Sequence, residues 1–201
     1  MPYLSDDDQL PYVTSSVERF LVNPDGNADG MILGNGVEVY FAPHLSSAVL
    51  AVVQVGDRIT VYGVLPMAEP MIVAEVIEAA NGTRIEDIGL PTRKLPGMEA
   101  EHRIKQRERG RLQVEALVRR TLHGPTGETR GVLLDDGTTV VLPSHQGEDL
   151  SELLSPASWL TVRGAGLVTE MGTAIKADEI GRSAGAMRVL QRCRPVPPSP
   201  G

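Results

Sequence analysis

The chain repeats itself at a fixed distance, and this constrains its fold more than any other feature. Setting GMILGNGVEVYFAPH (30–44) against GVLLDDGTTVVLPSH (131–145) aligns the two without a gap at an offset of 101, and the same offset carries GDRITVYG (56–63) onto ASWLTVRG (157–164). Over the 35 positions from Gly30 to Val64 eight pairs are identical: Gly30/Gly131, Leu33/Leu134, Gly36/Gly137, Val39/Val140, His44/His145, Thr60/Thr161, Val61/Val162 and Gly63/Gly164. Other positions keep their spacing while exchanging one apolar side chain for another, as in Ile32/Leu133, Phe41/Leu142, Val49/Leu150, Val52/Leu153, Val53/Leu154 and Ile59/Leu160. That is the pattern of one small core built twice, and 201 residues with 41 % apolar composition suffice for two.

Upstream, VERFLV (17–22) matches VEALVR (114–119) at an offset of 97, which predicts four extra residues in the first turn of the second repeat. Each unit then reads in one order. A first strand (16–22; 112–120) runs through a Gly/Pro/Asp turn into a second (30–34; 131–135). Asn35-Gly36 and Asp136-Gly137 predict two-residue hairpin turns with positive φ at both central positions. A third strand (37–42; 138–143) leads to a short helix, predicted by the helical spacing of Val49, Val52 and Val53 and of Leu150, Leu153 and Leu154. A fourth strand (58–64; 159–165) and a fifth (71–78; 173–180) complete the unit.

Strand, strand, strand, helix, strand, strand resembles the OB-fold, the small five-stranded barrel. The reading is mainly β, two OB-fold-like five-stranded barrels in tandem, each with one short helix. A pair of other small barrels, such as SH3-like units, has comparable element content. The boundaries expected are a disordered N-terminus (1–11), barrel 1 (12–80), a charged and possibly helical linker (81–111), barrel 2 (112–182) and a flexible Pro-rich tail (183–201). The wording DGxxVxLPxH, as in DDGTTVVLPSH, resembles a group of uncharacterised bacterial proteins, and that resemblance implies no activity.

Several classes of chemistry find no support. There is no GxSxG, GxxxxGK[ST], HExxH or GxGxxG, so no enzyme activity is expected. Four scattered histidines and the single Cys193 lack the convergent spacing of a metal site, and neither a metal nor another cofactor is expected. His44 and His145 stand where the third strand hands over to the helix, a place for a polar residue that meets free backbone N–H groups, and read as a repeated structural position. The acidic opening MPYLSDDDQL is unlike a secretory signal, and no stretch approaches the ~20 apolar residues of a membrane span, so a soluble cytoplasmic protein without a membrane partner is expected.

Charge divides the chain unevenly. Residues 1–90 hold 3 Lys+Arg against 13 Asp+Glu, a net −10, whereas residues 91–201 hold 16 against 13, a net +3. Only the second half is suited to attract a polyanion. Resemblance to OB barrels implies a ligand on the face of strands 2 and 3 and on the loops joining strands 1–2 and 4–5, most often single-stranded nucleic acid. On that analogy Arg119, Arg120, Arg130, Arg163 and Lys176 are candidate phosphate contacts, and Tyr40 and Tyr62 candidate stacking residues. The expected function is a non-catalytic binding module for single-stranded nucleic acid through barrel 2 and the basic linker. The alternative is an assembly adaptor that binds a protein partner without nucleic acid.

Overall fold

The computed structural model describes residues 10–66, 70–89, 109–144 and 146–190. Barrel 1 comprises β1 (Tyr12–Val22), β2 (Ala28–Leu33), β3 (Glu38–Tyr40), a 3-10 turn (Pro43–Leu45), α1 (Ser46–Val52), β4 (Arg58–Val64), β5 (Met71–Glu78) and β6 (Arg84–Glu86). Barrel 2 comprises β7 (Gly110–His123), β8 (Thr129–Leu134), β9 (Thr139–Val141), a 3-10 turn (Glu148–Leu150), β10 (Trp159–Thr169), β11 (Gly172–Gly181) and β12 (Met187–Val189).

The strand pairings close each sheet on itself. β1 is long enough to serve two neighbours: Tyr12–Ser16 pair with β4, and Val17–Val22 pair with β2. β3 joins β2 antiparallel and β5 parallel, and β5 returns to β4, which closes the circuit β1-β2-β3-β5-β4. Barrel 2 repeats it as β7-β8-β9-β11-β10, again with a parallel closing pair, β9 and β11. A parallel seam between third and fifth strands, with the connecting helix or turn between third and fourth, is the OB arrangement, and it sets aside the SH3-like alternative. β6 and β12 then add a short edge strand to β5 and β11.

The glycine shared by GDRITVYG and its repeat has a steric cause. A Cβ on Gly63 would lie 1.8 Å from the Val73 carbonyl oxygen and one on Gly164 would lie 2.0 Å from that of Lys176, each at a register shift where the fourth strand bends against the fifth. The hairpin turns differ from expectation. Leu33 N–H donates to Val37 O and Gly36 N–H to Leu33 O, with positive φ at Gly36 and not at Asn35. Leu134, Thr138 and Gly137 repeat this, so each turn is a three-residue loop whose glycine forms the bulge, and Asn35 and Asp136 instead accept from the backbone two residues on.

Two further expectations are corrected. The first strands keep the 101 offset: Val17 pairs with Leu33 as Val118 pairs with Leu134, and the turns after them close alike, Asn23 N–H to Asn27 O and Gly124 N–H to Glu128 O. No residues are inserted there. The second helix is absent: the leucines of barrel 2 are held by a single 3-10 turn followed by irregular turns, because Gly147, Asp149 and Ser151 stand where α1 has Ser46, Ala48 and Leu50. Ser155 Oγ bonds back to Ser151 O instead. Leu150 and Leu154 still reach the core.

Each barrel has its own interior. Phe41, Val49, Ile59 and Ile72 are among the residues filling the first, and Leu142, Leu150, Leu160 and Ile175 among those filling the second. Ile32 and Leu133 join neither. They point outward from β2 and β8 and meet Leu21 and Leu122 in a third, smaller cluster between the barrels.

Candidate functional site

That third cluster is the centre of a seam with approximate two-fold character, because the residues that meet across it are those the repeat makes equivalent. Leu21 and Leu122 are one equivalent pair, and Ile32 and Leu133 another. Arg19 donates through Nη2 to Gly137 O at 3.1 Å, and its counterpart Arg120 donates through Nη1 to Gly36 O at 2.9 Å. Burial, then the neighbouring Arg119, lowers the Arg19 pKa.

Where equivalent positions face one another at such an axis, identical side chains would repel if charged. Here they have opposite sign. Glu18 forms an ion pair with Arg119, and Asp29 with Arg130 at 2.8 Å. The second pair is the more buried, with side chains 9 % and 14 % exposed. Other contacts break the symmetry. Glu38, fully buried on β3, accepts from the His123 backbone N–H at 3.0 Å and lies 3.2 Å from His123 Nδ1. Tyr40 lies with its ring 5.3 Å from the Arg130 guanidinium, and burial raises its pKa above that of a free phenol.

The loops clasp in the same reciprocal way. Leu167, from the β10–β11 hairpin, lies against Gly26 in the first turn of barrel 1, and Pro66, from the β4–β5 connection, lies against Gly127 in the first turn of barrel 2. Met171, at the tip of β10–β11, packs on the core of barrel 1. The surfaces expected to receive a ligand are thus largely spent on the seam. All six residues of β2 are buried, and the outward side chains of β3, Glu38 and Tyr40, meet barrel 2.

The candidate contacts accordingly divide. Arg119 and Arg120 lie in the seam, bonded to Glu18 and to Gly36 O. Arg163 stands on the outer wall of barrel 2, donating to Glu179 at 2.8 Å and to Gln113 at 2.7 Å and 3.1 Å. Tyr62 is on the outer wall of barrel 1, its ring 5.7 Å from that of Tyr12. Tyr40 meets Arg130, and Lys176 lines the neighbouring cleft. Arg130 and Lys176 line two adjoining clefts at the seam, of about 440 Å³ and 330 Å³, which share Val141, Leu142, Pro143 and Ser144. Tyr40 lies beneath Arg130.

Sequence reasoning missed two members of this site. Arg109, at the point where the linker enters β7, lines the smaller cleft beside Lys176 and is ion-paired with Asp25. Asp29 lies there too, its Oδ1 buried without a hydrogen-bond partner among the described residues, as are Nε and Nη2 of Arg130. Lys176 is exposed and has no ion-pair partner among the described residues. The linker residues 90–108 lie outside the described residues.

His44 bonds through Nε2 to Asp87 Oδ1 at 3.2 Å and caps no helix end. Position 188, equivalent to Asp87, is arginine, so the partner is not repeated; His145 lies outside the described residues. Among the described residues no three His, Cys, Asp or Glu side chains gather as a metal site would need, and no helix is long and apolar enough to cross a membrane.

No protein-family model and no curated protein matches the chain. Among solved structures, the wild-type single-stranded DNA binding protein from Thermus aquaticus is similar at 14 % identity, over 94 % of this chain and 95 % of that one, with a TM-score of 0.26. A deletion mutant of that protein matches at 14 % identity, over 94 % and 96 %, with a TM-score of 0.27. Superpositions this loose decide nothing, and the barrel assignment rests on the strand pairings.

Proposed function

We infer that the chain is a non-catalytic tandem OB-type module that binds single-stranded nucleic acid at the seam, through barrel 2 and the basic linker. The observation that supports this is the cleft in which exposed Lys176, without an ion-pair partner among the described residues, stands beside Arg109, the last residue of a linker rich in lysine and arginine. With β2 and β3 covered and no aromatic partner beside Lys176, recognition is of the phosphate backbone. Binding therefore depends on salt and is indifferent to sequence, each phosphate contact adding about −0.7 to the slope of log K against log salt. Arg119, Arg120 and Arg130 hold the seam, and Arg163 and Tyr62 stand apart from the cleft.

The test is titration of a labelled oligo-dT at ~50 mM salt, where contacts to phosphate are strongest. Micromolar binding that weakens as salt rises, and that Lys176→Glu reduces several-fold, is expected; no binding, or binding insensitive to both, overturns the reading. A protein partner is the second reading. It is favoured by the engagement of all four candidate arginines in protein contacts and by the acidity of barrel 1. One defined partner that stays bound after nuclease treatment supports it, and association that disappears with nuclease removes it.

A further inference from the structure

The outer wall of barrel 1 differs in kind from its counterpart in barrel 2. On barrel 1 the outward residues of neighbouring strands place Tyr12 opposite Tyr62, Tyr62 opposite Val76, and Val76 opposite Glu86. Tyr12 is 69 % exposed. Arg84 sits 5.7 Å from the Tyr62 ring centre and 3.9 Å from Glu78, leaving Glu86 as the exposed carboxylate at the wall's far edge. The equivalent positions of barrel 2 carry Gln113, Arg163 and Glu179, with Arg163 donating to both of the others, and the aromatic on that face of β10, Trp159, stands four residues away from Arg163. Exposed Tyr12 beside half-buried Tyr62, with buried Val76 between Tyr62 and the exposed Glu86, forms on an acidic barrel a surface for an apolar segment with a cationic end.

The chain contains such a segment. Arg192-Cys193-Arg194-Pro195-Val196-Pro197-Pro198 favours the polyproline II conformation, which repeats every three residues and rises about 9.3 Å per turn. Arg192, Pro195 and Pro198 therefore share one edge of it. Strands lie about 4.8 Å apart, so β6 is about 10 Å from β4, matching one such turn. A segment laid across the strands sets Arg192 over Glu86 while the prolines cross the tyrosines, the mode by which aromatic-lined surfaces receive Pro-rich ligands.

We propose that this wall docks the Arg192–Pro198 segment of a second copy of the chain. A second copy is the occupant we commit to because the segment starts from Leu190, which is held on barrel 2, buried and with its N–H bonded to Asp178 O at 2.8 Å, whereas the wall belongs to barrel 1. Two residues of chain span at most ~7 Å from that anchor. The contact is head-to-tail: one copy presents the wall and the next the segment, and such contacts propagate unless they close into a ring. The seam cleft takes no part, so this association is independent of nucleic-acid binding.

The experiment is sedimentation of the full chain over a range of concentrations, with two variants that leave both cores intact. The wild type gains mass as concentration rises. Tyr12→Ala/Tyr62→Ala keeps the segment and loses the wall, and Pro195→Ala/Pro198→Ala keeps the wall and loses the segment; each alone sediments as a single chain. Mixed, they form a 1:1 pair of twice the single-chain mass and go no further, because one supplies the segment and the other the wall. A wild type that remains a single chain at millimolar concentration, variants that associate as the wild type does, or a mixture that gains no mass overturns the proposal.

Discussion

Consider reversing the buried ion pair of the seam. Asp29 and Arg130 approach to 2.8 Å with most of each side chain out of solvent, and three of their polar atoms have no other partner among the described residues. Removing one member of such a pair leaves an uncompensated charge and costs about 3–5 kcal/mol, whereas an exposed pair is worth about 0–1. Asp29→Arg alone also sets two guanidinium groups against each other, so its cost belongs at the upper end of that range. Because the repeat makes the two positions equivalent, the exchange Asp29→Arg with Arg130→Asp rebuilds the contact with its polarity reversed. More than half of the loss should return. Urea unfolding followed at Trp159, the only tryptophan, and by circular dichroism measures this. With an m-value of ~2 kcal/mol/M, each single change lowers the midpoint by roughly 1.5–2.5 M. The reasoning fails if the single changes cost under ~1 kcal/mol, or if the exchange is as damaging as their sum.

Other outcomes follow from the same geometry. Gly63→Ala forces a Cβ onto the Val73 carbonyl and should prevent barrel 1 from closing, whereas Gly36→Ala, with open space around it and only its positive φ to oppose it, costs about 1 kcal/mol; thermal melts of the two separate these cases. Glu38→Ala leaves the buried His123 N–H without its acceptor and costs about 1–3 kcal/mol, read from the urea midpoint. Tyr40 keeps its proton to higher pH folded than unfolded, so its contribution is complete below the unfolded value of about 10 and declines as the pH rises past it. Absorbance titration at 295 nm should show a late component that Tyr40→Phe removes.

The barrels were legible in the sequence, and the seam was not. Alternation and the 101 offset are properties of each unit alone, and they located the closing glycines, the core valines and leucines and the order of strands. The misplaced offset in the first strand shows the limit. A shift of four residues keeps every side chain on the same face of a strand, so hydrophobic alternation cannot reject it. It separated Glu18 from Arg119, whose opposition at equivalent positions, like that of Asp29 and Arg130, was a sequence signal of the interface. The spacing of Leu150, Leu153 and Leu154 suited a helix, yet a 3-10 turn also delivers Leu150 and Leu154 to the core, and Gly147, Asp149 and Ser151, weak helix formers, decide between them. Of the candidate site, Lys176 and Tyr40 were found because they are charged or aromatic on predicted strands, and Arg130 because it is a charge at the end of the turn before one. Arg109 and Asp29 were not, because only the docking of one barrel on the other gives them neighbours.

Met171 carries a consequence for how the protein is made. Its side chain rests on the interior of barrel 1 although it belongs to the last long hairpin of barrel 2. Synthesis runs from the N-terminus, so barrel 1 leaves the ribosome some eighty residues before the methionine that packs against its core. Until that hairpin arrives, the first-made half lacks this apolar contact, and a chain halted short of it would never gain it.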